Sequence, residues 1–312
     1  MSFPTTLVLV LLASYGLCNL LLSVAVGALW RAGGFLPLKR ADALLALRLL
    51  PAAGSALAVL TVVLPAFLLY EPAHADDKPG ALLVVAAGLA LLVIFDGIRR
   101  AARAARAARA LVRSAPSLRT EAFEDGAQVS LVNLPEPVVA VVGGWRQRIV
   151  AAHCVAAACD GEEFRQVVAH ETAHIDARDN LKLLALLAVP DVLAWLPAGR
   201  ALNAQWQAAA EIEADERASG ADPHKRVALA SALIKVARLA IAGPRSARGA
   251  RADGPGDGLE QRIKRLLAPP AGGAPAFPGR RIATSALLVP LLAVPLYAFV
   301  HRVIEFLVAF GR

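Results

Sequence analysis

His170, Glu171, Thr172, Ala173 and His174 form an HExxH run. On a helix, residues i and i+4 share a face, so both imidazoles can point at one metal ion. Glu171 falls one position on, where its carboxylate can take a proton from a water held by that ion. The chemistry this arrangement serves is metal-assisted hydrolysis. Two histidines leave the set one protein ligand short, because a catalytic zinc takes three and keeps a fourth position open. The best third ligand is Glu211 in AAAEIEADERAS (208–219). Asp215 lies one helical turn later on the same face, where it can hydrogen-bond the outer nitrogen of a ligand histidine. Asp179 and His224 are further ligand candidates. Glu213 points to the far side of that helix, so its removal is expected to do little. Taken singly, a histidine pair or an acidic helix face is ordinary surface; together in one chain they point to a metal.

The elements around these residues must bring them together. GEEFRQVVAHETAHIDARD (161–179) has the amphipathic pattern of a helix, the setting HExxH needs. Ahead of it, AQVSLVN (127–133), PVVAVVG (137–143) and RIVAA (148–152) are short β-branched runs that read as a small sheet. Either PVVAVVG or RIVAA could offer an edge on which an extended substrate pairs. His153, after RIVAA, reads as a structural histidine. LEQRIKRLL (259–267) is a short amphipathic helix, 243–257 a flexible loop and 268–279 a linker. The stretch 181–199 is apolar enough to suggest a crossing. It lies between His174 and Glu211, however, and one crossing would part the ligands across the membrane. It is therefore expected to be buried or membrane-associated without crossing, broken at Pro190 and Asp191.

The rest of the chain is dominated by apolar runs. It has 312 residues, 57% of them hydrophobic, with a mean hydropathy of +0.55. Four runs can cross a bilayer: about 7–30, 43–70, 81–98 and 282–300. The first has no charge and no basic start, and is expected to be retained rather than cleaved. Arg31, Lys39, Arg40, the Arg99–Arg113 series, Arg280 and Arg281 fall on one side if the N-terminus is outside. That places 99–281 in the cytoplasm and both termini outside. The Ala/Arg run after the third span reads as its helical continuation. The net charge of +8 fits an anionic membrane surface; only 5% of residues are aromatic and no nucleic-acid motif appears, so nucleic acid is not an expected partner. Cys18, Cys154 and Cys159 are too few and too widely spaced for a structural zinc or CxxC site, and read as free thiols.

HETAHIDARDN followed by EIEADERA, with three spans before and one after, resembles the membrane zinc peptidases of the beta-lactam sensor–transducer type (BlaR/MecR). The approach PVVAVVGGWRQRIVAAHCVAAACDGEEFRQVVAHE is similar to that family's. The HExxH and ExxxD motifs, and a segment like LEQRIKRLL, are shared with the HtpX-type and CAAX-prenyl peptidases. The resemblance implies Zn2+ on His170, His174 and Glu211, Glu171 as the base, and Asp215 bonded to a ligand histidine. It implies a mainly α membrane protein: four transmembrane helices, with a cytoplasmic α+β zincin-like (gluzincin) domain between the third and fourth. The expected division is 1–98 membrane domain, 99–281 peptidase domain and 282–312 last span. The sensor–transducers carry an extracellular penicillin-binding domain after that span; the sequence ends at Arg312, and a peptidase without that sensor is expected. The expected function is hydrolysis of a protein or peptide substrate at the inner cell membrane. A cytoplasmic repressor or the enzyme itself would fit that topology. A silent signalling adaptor and an HtpX-type quality-control peptidase are the alternatives. A solute transporter is disfavoured because the spans show neither paired charges nor repeats.

Overall fold

The computed structural model describes residues 3–32, 40–70, 80–114, 117–122, 128–134, 136–143, 147–242 and 255–269. The expected fourth span and both inter-span loops at 33–39 and 71–79 lie outside the described residues. Helix α1 is Phe3–Arg31; α2 (Ala41–Ala58) continues through a π turn at Val59–Val63 into α3 (Leu64–Tyr70). Helix α4 (Ala81–Ser114) carries the third apolar run straight into the Ala/Arg series, as the composition suggests. Phe3–Arg31, Ala41–Leu69 and Ala81–Ala107 are long and apolar enough to cross a membrane. Small residues form their seam: Ala13, Ala87 and Ala90 are buried, and a Cβ on Gly16 would lie 3.1 Å from that of Ala90. Such close packing is how helices associate where lipid is as apolar as leucine. Leu21, Leu60, Leu69, Leu89 and Phe95 face outward.

The remaining elements are β1 (Ser117–Ala122), β2 (Gln128–Val132), β3 (Val139–Val142), β4 (Arg148–Ala152) and α5 (His153–Ala158). Then come α6 (Gly161–Ala177), α7 (Asp179–Ala188), a 3-10 turn (Val192–Trp195), α8 (Pro197–Ser219), α9 (Pro223–Ala242) and α10 (Pro255–Leu267). Three strands fall on the expected runs; β1, the polar SLRTEA, does not belong to any of them. The sheet order is β1-β2-β4-β3, with β2 and β4 parallel and the outer pairs antiparallel. RIVAA is thus an interior strand, paired on both sides, and cannot be the expected edge; β3 is. Val129, Leu131, Ile149 and Ala151 pack on Phe164 and Val168 of α6, which fixes the HExxH helix against the sheet.

The stretch 181–199 contains no crossing helix. Helix α7 ends at Ala188, Pro190 and Asp191 break the chain, and α8 begins at Pro197. Val26, Ala41 and Leu44 of the first two candidate spans share one core with Leu186, Leu193, Leu202 and Trp206. Leu186, Leu193 and Leu202, outside the candidate spans, each stabilise by about 1.5–3 kcal/mol relative to exposure to water. Two contacts here add to the expectations. Glu213 does face away from the histidines, but it is not idle: its Oε1 accepts the Ala41 N–H at 2.9 Å, capping α2. Arg48, the charge on the second candidate span, is paired: Asp191 meets it from 143 residues away, and both side chains are fully buried.

Candidate metal centre

Helix α6 begins with a capping box. Asp160 accepts the N–H groups of Glu162 and Glu163, and Glu163 accepts the Asp160 N–H at 2.8 Å. The helix ends at Arg178, whose φ of 55° is left-handed without being glycine. Such a conformation costs about 1–3 kcal/mol and tends to sit at functional sites. Here it swings the chain back so that Asp179 Oδ2 lies 2.7 Å from His174 Nδ1. Between those ends, His170 and His174 stand one turn apart with rings nearly perpendicular and Nε2 atoms 3.2 Å apart.

Helix α8 brings Glu211 across this pair. Its Oε2 is 3.5 Å from His170 Nε2 and its Oε1 3.7 Å from His174 Nε2. Ligands about 2.0–2.2 Å from a tetrahedral zinc are separated from one another by roughly 3.3–3.6 Å. The three donor groups lie near that separation, with one atom from each within 4.8 Å of the others, so together they could hold one ion. Side-chain exposures of 8% for His170, 15% for His174 and 40% for Glu211 leave the group open on the glutamate side. Asp215, one turn after Glu211, places Oδ1 3.0 Å from His170 Nδ1, at an angle off the linear hydrogen bond. Each histidine thus has a carboxylate on its Nδ1 side and turns Nε2 to the shared centre, the arrangement that fixes a metal-binding tautomer. Asp179 lies beside His174 as an orienting carboxylate and not in the ligand triangle. His224, at the start of α9, is exposed and apart from the group, as is His153.

Arg262 on α10 is the residue that sequence reasoning did not single out. It clamps Asp215 through Nε and Nη2, both at 2.7 Å, and reaches Glu211 Oε2 with Nη1 at 2.7 Å. A signal was present: with Leu259, Ile263 and Leu266 it occupies i, i+3, i+4 and i+7, so the charge falls on the apolar face of its helix. A charge at such a position needs a buried partner. Burial alone would raise the Glu211 carboxyl, but His170 and Arg262 hold it down at about 2. Burial likewise opposes the charge on His170, yet Asp215 and Glu211 push its pKa up to about 9. Four carboxylates, Glu171, Asp179, Glu211 and Asp215, surround two imidazoles and one guanidinium; the centre calls for a cation.

Glu171 lies beside the two histidines on the sheet side. Burial pushes its carboxyl above the usual range, against the pull of His170 and His174. It accepts the backbone N–H of Val141 on strand β3. Asn180 donates to the Val141 carbonyl at 2.8 Å, so both backbone groups of Val141 point away from β4, toward the metal helix. By the alternation of an antiparallel pair, Val139 presents the same edge, while Val138 faces inward and accepts the Ala152 N–H.

Comparison with curated proteins finds no match. Residues 73–266 match the family described as BlaR1 peptidase M56. That stretch runs from just before α4 to the end of α10 and contains every residue of the metal centre described above. With the HExxH helix, the glutamate helix and the long apolar helix α4 all inside the match, the chain belongs to the BlaR1 peptidase M56 family, a family of membrane-associated metallopeptidases.

Proposed function

We propose that this protein is an integral-membrane zinc metalloendopeptidase that hydrolyses peptide bonds of a protein substrate on the cytoplasmic side. The observation that carries the reading is the His170–His174–Glu211 triangle, close to the size a tetrahedral ion needs and open on its Glu211 side. When bound, zinc acidifies water and polarises the scissile carbonyl. Glu171 takes the proton from the attacking water on its carboxylate and delivers it to the leaving amine. Its raised pKa suits both transfers. Asp179 and Asp215 hold the imidazoles in place from their Nδ1 sides. Arg262 keeps Glu211 and Asp215 from rotating away. Strand β3 receives the substrate as an added antiparallel strand along its outward edge at Val139. A substrate strand there passes along α6 in front of Glu171.

The cytoplasmic placement is supported by charge. Arg31, Arg40 and the arginines from Arg99 onward stand at the ends of α1, α2 and α4 against which α7 and α8 pack. A cytoplasmic repressor or another copy of the chain would meet the site on that side. The purified protein, in detergent, should cleave an unfolded protein substrate, lose that activity to a chelator and recover it with zinc. Activity that survives complete removal of metal would overturn the reading.

A further inference from the structure

Arg48 has no part in the chemistry above, yet it is a wholly buried charge on a candidate span. Ionisable residues at such positions are costly, and their presence asks for a function. Its Nη1 meets the Asp191 carboxylate, and its Nε donates to Asn203 Oδ1 of α8 at 2.9 Å. Its Nη2 is buried with no hydrogen-bond partner among the described residues. A pair this buried gains little net stability, because desolvation offsets its attraction. What it supplies is a single geometry.

That geometry concerns the crossover between the two metal-bearing helices. Asp191 also accepts the Ala194 N–H at 2.8 Å and so starts the 3-10 turn. The first span grips the same stretch: Tyr15 and Asn19 donate to the Pro190 carbonyl at 2.5 and 3.2 Å, and Ser23 Oγ accepts the Leu193 N–H at 3.1 Å. Arg100 of α4 donates to the carbonyls of Leu187 and Val189. The turn enters α8 without slack: a Cβ on Gly199 would lie 1.9 Å from the Leu193 carbonyl oxygen. Further along, Ala41 at the start of α2 is bonded to Glu213, between Glu211 and Asp215. Helix α8 is therefore stitched to the second span at two levels, and the lower one adjoins the metal ligand.

Resting on the metal-site reading above, we infer that Arg48 is a positioning residue for the metal centre. With Asp191 and Asn203 it fixes α8 against the spans, and thereby sets where Glu211 meets His170 and His174. The full-length protein is compared with the double variant Arg48→Met/Asp191→Asn, with Asn203→Ala and with Arg48→Lys. The double variant leaves no unpaired buried ion, and Asn at 191 can still accept from Ala194. The readouts are zinc affinity and the visible spectrum of the cobalt-loaded protein, which reports ligand geometry. Zinc binding should weaken about 2- to 30-fold in the double variant. Its cobalt spectrum should shift, Asn203→Ala should change the same way but less, and Arg48→Lys should recover part. Native affinity and a native cobalt spectrum in the variants would overturn the inference alone. Failure of the unaltered protein to bind zinc or cobalt would overturn the site reading, and this inference with it. If the double variant does not assemble, Asn203→Ala decides the matter in the same way.

Discussion

His170 and His174 each have one nitrogen turned to a carboxylate and one to the common centre, and the neighbours differ in what their loss should do. Glu211 offers oxygen to the centre itself, so Glu211→Ala should strip zinc as well as activity. Asp215→Ala and Asp179→Ala remove only the groups behind the imidazoles, and should weaken zinc by about 10- to 100-fold. Metal analysis of the purified variants after mild chelation ranks them. Retained zinc in Glu211→Ala with loss in Asp179→Ala would reverse the assignment of ligand and support. The sequence made the histidines and the Glu211–Asp215 pair legible because i and i+4 on a helix is a local relation. Asp179 and Arg262 were not legible as partners. Asp179 depends on a left-handed turn at Arg178, and Arg262 reaches Asp215 from 47 residues away.

Helix α6 is held from its N-terminal end as well as by the sheet. Glu163 closes the capping box and is bonded to Ser231 at 2.6 Å and Lys235 at 2.5 Å on α9. Burial would raise its carboxyl, but Lys235, Ser231 and the Asp160 N–H outweigh that and hold it below the usual range. A carboxylate depressed on folding stabilises fully above its unfolded value of about 4.3. That contribution is lost as pH falls through the lower folded value. The melting temperature should therefore drop on acidification through that window, and Glu163→Gln should flatten this part of the profile. An unchanged acid limb in that variant would show that other groups govern it. Helix α8 has its own tie: Glu213→Ala uncaps α2, at about 1 kcal/mol, and should lower the melting temperature while leaving zinc bound. Short β-branched runs revealed β2, β3 and β4, but not their order. That β4 lies inside and β3 at the edge depends on the parallel β2–β4 pairing, a long-range choice invisible in short runs. SLRTEA escaped notice because it carries no β-branched apolar run.

The molecule as a whole joins an apolar bundle to the unit that carries the candidate metal centre through a shared core. That three helices are long and apolar enough to cross a bilayer was readable, because about 20 apolar residues suffice and composition reports that directly. The grip of Tyr15, Asn19, Ser23 and Arg48 on the 187–195 crossover was not, since each contact spans well over a hundred residues. Reporter fusions should place Asp76 outside and the Ser114–Gly279 region inside. An external reporter signal from a fusion near Glu211 would invert the orientation. The most direct test of the account as a whole is zinc content and proteolysis measured side by side on the native protein and on Glu171→Gln. Both should carry about one zinc per chain, and only the native protein should cleave a protein substrate. Substantial turnover by Glu171→Gln, or absence of zinc from the native protein, would contradict it.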